Sequence, residues 1–191
     1  MSERNELYPV FLKVHQLQVL IVGGGNVALE KLTFLLKSSP NAQVQLVAPE
    51  IREEVRELAA KHSVELVDDY YSVEYLQGKD MVIATTDKPE VNIQVYQDCK
   101  VQNTLVNVAD TPQYCDFYLG GIVTKGNVKI AISTNGKSPT TAKRLRQFFE
   151  EVIPEDINQL VVNLNKFRKT LKGDFEKKLK TLNELTESLV K

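Results

Sequence analysis

The chain has 191 residues, of which 42% are hydrophobic and 26% charged, a composition typical of one large or two small globular domains. The formal net charge of −1 argues against general attraction to nucleic acid or to membrane surfaces. No apolar run approaches the ~20 residues of a membrane span, and the two cysteines form no C-x-x-C pair, so we expect a cytoplasmic protein with free thiols.

The first half of the chain alternates apolar segments with amphipathic ones. Strands are predicted over residues 19–22, 44–47, 64–67, 81–84 and 105–108. Helices are predicted over residues 28–37, 51–61 and 91–101. Strands that alternate with helices predict a parallel, doubly wound α/β sheet, which binds ligands beyond the carboxyl ends of its strands.

The turn after the first strand carries a dinucleotide fingerprint. Gly23, Gly25 and Ala28 fit the pattern G-x-G-x-x-A, in which one glycine makes the tight turn and the next lets a pyrophosphate approach the backbone. The free N–H groups of the following helix would face the phosphates. About 20 residues after the fingerprint, such sheets carry an acidic residue that binds the adenosine ribose. Glu50 is the best match here, and because Arg52 lies nearby the sequence favours NAD over NADP only weakly.

The pattern changes after Pro112. Segments 117–124 and 128–133 flank residues 125–127 and predict a β-hairpin, followed by a helix over residues 139–150. Residues 154–191 read as charged helices separated at Gly173 and Asp174. Because a lone hairpin is marginal in water, we expect it to pack on a partner, and a second subunit is a candidate.

Asp110 follows the fifth strand, at the edge where ligands bind. It is either a turn residue before Thr111 and Pro112, a general acid or base, or an oxygen ligand to a metal. With only two histidines in the chain, we expect no cluster of His and Cys metal ligands.

The stretch between Asp116 and Glu150 contains no acidic residue. Its six cations suit a small anionic ligand, although the last three could also form a solvated helix face: Lys125, Lys129, Lys137, Lys143, Arg144 and Arg146. Within this stretch, residues 133–141 combine hydroxyls, a glycine turn and a helix start. They predict a carboxylate or phosphate site, or helix capping by Ser138, and the two roles are compatible.

Four segments together resemble one known family, the siroheme-synthase dehydrogenase/ferrochelatases or precorrin-2 dehydrogenases. The matching segments are residues 8–12, 22–31, 107–110 with 115–117, and 130–139. The resemblance covers residues 7–150, while residues 151–191 match only in being helical. Glu30 and Asn135 depart from the residues usual in the family.

The resemblance implies a Rossmann-type α/β fold and an enzyme. Residues 1–112 would form the NAD-binding domain, residues 113–150 a dimerisation and tetrapyrrole-site segment, and residues 151–191 a small helical domain, in an intertwined homodimer. Such enzymes oxidise precorrin-2 to sirohydrochlorin with NAD, and several then insert ferrous iron as a substrate to give siroheme. No nucleic-acid or membrane partner is expected.

The site residues follow from the matching positions. Asp110 would be the catalytic residue and would hold the iron transiently. Contacts to NAD are expected at Gly23, Gly25, Asn26, Val27, Ala48, Pro49, Thr85 and Thr86. Contacts to the substrate are expected at Ser133, Thr134 and Lys137. The competing hypothesis is a regulatory module that senses NAD(H), which would need the fingerprint but neither Asp110 nor the basic stretch.

Overall fold

Parallel strands form the core of the N-terminal part of the chain. The computed structural model describes residues 4–172 and 175–187, and the chain divides into two units. The first comprises residues up to 119 together with residues 135–137, and the second comprises residues 120–134 and those from 138 onward.

The sheet of the first unit has the strand order β3-β2-β1-β4-β5. Its strands, all parallel, are β1 Gln18–Val22, β2 Gln43–Ala48, β3 Val64–Asp68, β4 Met81–Ala84 and β5 Leu105–Val108. The order of the strands reverses between β1 and β4, which makes the carboxyl ends of these two strands the expected ligand crevice. The predicted doubly wound sheet is confirmed.

Helices cover the two faces of the sheet because β1 and β4 are apolar on both sides. On one face, α1 (Asn26–Ser38) and α2 (Glu53–Ala60) bury Leu32 and Val55 against the strands. On the other face, α3 (Pro89–Gln102) buries Val95 and Cys99. Both cysteines are free thiols, and burial raises the pKa of Cys99 to about 12, so this thiol is a neutral core group at physiological pH.

A short segment after β5 covers the edge of the sheet. Asp116 donates its N–H to the carbonyl of Val106 (2.8 Å) and accepts the Val106 N–H on its carboxylate (3.0 Å). The buried amide of Asn107 donates to the carbonyl of Phe117 (2.7 Å). These bonds satisfy strand groups that would otherwise be open to pairing with another chain.

The hairpin of the second unit starts later than predicted. The antiparallel strands β6 (Gly121–Lys125) and β7 (Val128–Ile132) are joined by a two-residue turn at Gly126 and Asn127. The expected strand start at residue 117 is wrong because the Phe117 carbonyl is used at the sheet edge. Gly126 lies at φ 59°, a conformation that suits a tight hairpin turn.

Three helices complete the second unit. Helix α4 spans Pro139–Val152, α5 spans Ile157–Thr170 and α6 spans Phe175–Thr186. The side chain of Asn158 on α5 accepts the backbone N–H of Asn127 (2.8 Å), so the hairpin turn packs on this helix. The predicted separation at Gly173 and Asp174 lies outside the described residues. None of the helices in the described ranges is long and apolar enough to cross a membrane.

Replacing Leu32 tests the buried face of α1. Leu32 is fully buried against the sheet, so Leu32→Ala should lower the free energy of unfolding by about 2–5 kcal/mol. Phe34 on the same helix is 57% exposed, and Phe34→Ala should cost less than about 1 kcal/mol. Urea denaturation of both variants measures the difference, and equal losses would contradict this orientation of the helix.

Candidate functional site

The turn between β1 and α1 requires glycine at its first position. Gly23 lies at φ 119°, and a Cβ atom there would stand 2.5 Å from the hydroxyl oxygen of Thr85. The Gly23 N–H donates to the carbonyl of Val47 (2.9 Å), and the buried Thr85 hydroxyl donates to the carbonyl of Val22 (2.9 Å). Because Gly23 has no side chain, the carboxyl ends of β1, β2 and β4 can meet at this turn.

The next two glycines have different environments. A Cβ atom at Gly24 would collide with the backbone of Glu50 and Ile51, so this position is closed by the protein itself. A Cβ atom at Gly25 would meet no described atom within 4 Å, and Gly25 has an ordinary φ of −89°. Nothing in the described chain requires glycine at position 25, which therefore leaves room for an external group to approach the backbone.

The N-terminus of α1 opens onto that space. Gly25 is the N-cap residue, no side chain caps the helix, and its first turn contains no acidic residue. The first N–H groups of a helix have no partner within the helix, and they carry the positive end of its dipole. Asn26 and Val27 supply such groups beside the open position at Gly25. This arrangement fits the pyrophosphate of a dinucleotide.

The other predicted cofactor residues lie at the carboxyl ends of β2 and β4. Ala48 is the last residue of β2, and Pro49 follows it. Thr86 follows the buried Thr85, and its backbone N–H and hydroxyl both contact the amide oxygen of Asn92, at 3.2 Å and 2.8 Å. Asn92 was missed by sequence reasoning, although a polar residue on the buried face of α3 is a detectable signal.

Asp110 occupies a turn directly after β5. In this turn the Thr111 N–H donates to the carbonyl of Val108 (3.2 Å). The N–H of Ala109 donates to the carbonyl of Ala84, the last residue of β4 (2.9 Å). Asp110 lies at φ 57°, a conformation that few residues other than glycine, asparagine and aspartate adopt. A left-handed residue of this kind is often found at functional sites.

The carboxylate of Asp110 is exposed and makes no hydrogen bond or ion pair with any residue that the structure describes. The turn itself is held from behind by Cys115, whose thiol donates to the carbonyl of Val108 (3.2 Å). The buried Asn107 amide donates to the Cys115 sulfur (3.4 Å). Burial raises the pKa of Cys115, so the thiol keeps its proton for this bond. The bracing role of Cys115 was not foreseen from the sequence.

No metal-binding cluster accompanies Asp110 in the described part of the chain. Groups of three or more His, Cys, Asp or Glu side chains placed to hold an ion are absent from it. Asp110 lies in the first unit, whereas the predicted substrate residues Ser133 and Thr134 lie in the second.

The predicted substrate loop is a capped helix start. The hydroxyl of Thr134 accepts the N–H of Ser138 (3.3 Å), and the hydroxyl of Ser138 accepts the N–H of Thr141 (3.2 Å). Helix capping by Ser138, one of the two roles expected for it, is thus observed. Asn135 adopts the left-handed conformation at φ 54°, which asparagine tolerates. Lys137 belongs to the first unit, whereas Ser133 and Thr134 belong to the second.

Acids just beyond the basic stretch neutralise part of it. Lys125 forms an ion pair with Glu155, and Arg146 pairs with Glu150 at 2.5 Å. Arg144 donates to the side chain of Gln147 (3.1 Å). The stretch is therefore less basic than its sequence alone indicates.

Two family models match the chain. The family described as "Putative NAD(P)-binding" matches residues 10–121, and the family "Sirohaem biosynthesis protein central" matches residues 125–151. Siroheme synthase from Pseudoalteromonas translucida is 39% identical over 168 residues, which are 88% of this chain and 35% of the relative. Siroheme synthase from Psychrobacter arcticus is 38% identical over 175 residues, which are 92% of this chain and 31% of the relative.

The chain belongs to the family described as putative NAD(P)-binding. The resemblance to siroheme synthases inferred from the sequence is confirmed by these relatives. A solved structure of SirC, a precorrin-2 dehydrogenase, superposes with a TM-score of 0.77 at 25% identity and covers 94% of this chain and 89% of that one. The chain spans about a third of the length of the siroheme synthases that it matches.

The NAD(P)-binding match contains the glycine turn and Asp110, and the sirohaem match contains the Ser133 loop and α4 up to Glu151. The two matches therefore meet within β6, the first strand of the hairpin. For a member of this family, the open position at Gly25 is the place where a dinucleotide phosphate fits the structure best.

Substitutions at the two glycines separate folding from binding. Gly25→Ala should change the free energy of unfolding by less than about 1 kcal/mol, because its site is open. It should weaken NADH binding about tenfold or more, because the added methyl would occupy the space proposed for the phosphate. Gly24→Ala should destabilise the fold, because the added methyl meets backbone atoms. Urea denaturation and NADH titration measure the two effects. Unchanged NADH affinity in Gly25→Ala would contradict the assignment of the open position.

Proposed function

We propose that this chain is an NAD-dependent precorrin-2 dehydrogenase, which forms sirohydrochlorin in siroheme biosynthesis. One observation carries the proposal. The exposed carboxylate of Asp110 is held in a left-handed turn at the same edge of the sheet as a glycine turn that is open for a pyrophosphate. The structural likeness to SirC, over most of both chains, supports the choice of reaction.

The cofactor residues would act mainly through their backbone. Gly23 would make the tight turn and Gly25 would allow the close approach of the phosphates, to which Asn26 and Val27 would offer N–H groups. Ala48 and Pro49 would lie toward the adenosine, and Thr85 and Thr86 toward the remainder of the dinucleotide. When bound, NAD supplies an acceptor for the hydride that leaves the substrate.

Asp110 would remove the proton that accompanies the hydride. Oxidation of precorrin-2 transfers two electrons and one proton as a hydride and releases a second proton, and an exposed carboxylate without a partner of its own can accept that proton. Ser133, Thr134 and Lys137 would bind the carboxylates of the tetrapyrrole through hydroxyl and ammonium groups.

Ferrous iron would be a second substrate of the same site. Insertion of iron into sirohydrochlorin displaces two pyrrole protons, and the same exposed carboxylate would take them one after the other, releasing the first to water before it accepts the second. We propose a cytoplasmic enzyme in which residues 1–112, 113–150 and 151–191 serve as NAD-binding domain, dimerisation and tetrapyrrole segment, and helical domain.

Asp110→Asn tests the catalytic assignment. Asparagine also adopts the left-handed conformation, so the turn should survive while the proton acceptor is lost. We expect kcat for NADH formation from anaerobic precorrin-2 and NAD to fall about 100-fold or more, with unchanged NADH affinity. NADH absorbance and the sirohydrochlorin spectrum report the reaction, and later addition of ferrous iron reports the chelatase step.

Asp156→Asn is the matched control, because Asp156 is an exposed aspartate whose side chain caps no helix N–H. Its kcat should equal that of the wild type. Full activity of Asp110→Asn in both steps would overturn the catalytic role. If the wild-type protein forms no NADH or NADPH with either dinucleotide, the dehydrogenase proposal fails.

We also propose that the protein is a homodimer that buries the hairpin and α4. Apolar side chains on these two elements are exposed in the single chain: Ile122 at 38%, Leu145 at 39%, Phe148 at 54% and Val152 at 51%. Because α4 packs on β6, these exposed side chains lie on neighbouring elements, and exposed apolar surface is common at subunit interfaces.

Charge at Phe148 should separate the subunits. Phe148→Glu places an unpaired carboxylate in the proposed interface, so we expect a monomer of 21.6 kDa by sedimentation velocity, against a dimer for the wild type. Phe34→Glu is the control, because Phe34 is equally exposed but lies on α1. A dimeric Phe148→Glu protein would contradict this interface.

A further inference from the structure

The last residue of β2 is Ala48 and not the acid that usually holds the adenosine ribose, and Glu50 follows only two residues later, beyond Pro49. In dinucleotide-binding sheets, an Asp or Glu near this point binds the 2′-hydroxyl of NAD, whereas a nearby Arg accommodates the 2′-phosphate of NADP. Here β2 ends in Ala48, and the first cation along the chain is Arg52, the N-cap residue of α2. The contacts of Arg52 therefore decide whether its guanidinium can bind a 2′-phosphate.

Arg52 is fixed beside the glycine turn by two hydrogen bonds. Its backbone N–H donates to the carbonyl of Gly24 (3.1 Å), and its guanidinium Nη1 donates to the side-chain oxygen of Asn26 (2.6 Å). The guanidinium thus lies at the start of α1, next to the open position at Gly25. An arginine at this place could bind a phosphate on the ribose.

Glu54 occupies the same guanidinium from the other side. Arg52 donates to both carboxylate oxygens of Glu54, through Nη2 at 2.7 Å and Nε at 3.2 Å. The hydrogen bond from Arg52 lowers the pKa of Glu54 to about 2, so the carboxylate is charged at neutral pH. The Arg52–Glu54 pair has no net charge, and its carboxylate oxygens are negatively charged groups that a 2′-phosphate of NADP would meet.

We propose that Glu54 sets the preference for NAD over NADP by holding the Arg52 guanidinium away from a 2′-phosphate. This inference rests on the proposed NAD-dependent function and names the residues that choose the dinucleotide. The side chains of Arg52 and Glu54 are 44% and 52% exposed, so a ligand can reach the pair. Exposed ion pairs are weak, and Glu54 therefore biases the choice without forbidding NADPH.

Glu54→Gln tests the proposal by binding alone. Glutamine keeps the length of the side chain but removes the charge that competes for Arg52. We expect the affinity for NADPH to rise about fivefold while that for NADH changes less than about twofold. Fluorescence titration with NADH and with NADPH, at one fixed ionic strength, gives the ratio of the two dissociation constants.

Two further variants make the result specific. Glu53→Gln removes the same charge one residue earlier, from a side chain that is not among the hydrogen-bond partners of the Arg52 guanidinium in the described chain, and should leave the ratio at its wild-type value. Arg52→Gln combined with Glu54→Gln should lose the gain in NADPH affinity, because the phosphate then has no guanidinium to bind.

The outcomes distinguish this inference from the proposed function. If wild type binds NADH and Glu54→Gln leaves the NADPH-to-NADH ratio unchanged, the role of Glu54 is wrong while the cofactor assignment stands. An equal gain in NADPH affinity in Glu53→Gln or in the double variant also overturns it, because the gain would then come from the loss of negative charge in general and not from the release of Arg52. If the wild type binds neither dinucleotide, the cofactor assignment fails and this inference fails with it.

Discussion

The close approach of backbones at the glycine turn is the constraint on which the rest of the site depends. Gly23 sits against Thr85 with no room for a side chain, and Gly24 sits equally close to the loop after β2. These contacts bring the ends of β1, β2 and β4 together where the strand order reverses. Of these three glycines, Gly25 is the one at which an added Cβ atom would meet no described atom within 4 Å, so the turn is tight on two sides and open on the third, toward a ligand.

Asp110 depends on a second constraint, the covering of the β5 edge. Asp116 and Asn107 tie the following segment to the strand, and Cys115 braces the turn from behind. The backbone of Asp110 can then be held in the left-handed region, which costs about 1–3 kcal/mol for a strained residue. The surrounding bonds offset that cost, and the carboxylate stays free of partners within the described chain, as a proton acceptor requires.

The sequence predicts those features that depend on local pattern. The apolar run over residues 81–84 matches β4 residue for residue, and the fingerprint locates the turn because both encode burial and glycine geometry. The hairpin start could not be predicted, since the Phe117 carbonyl is taken by Asn107, ten residues away. The pairing of Arg52 with both Asn26 and Glu54 depends likewise on the folded loop after β2, so residue spacing alone left the choice of dinucleotide weakly encoded.

The cofactor site proposed for this chain places a dinucleotide phosphate over the open position at Gly25. Backbone amide NMR during titration with NAD is the most direct test of this placement. We expect the largest shift changes at Gly25, Asn26 and Val27, with smaller changes at the hairpin turn residue Asn127. Large changes confined to other parts of the chain, or no changes at saturating NAD, would contradict it.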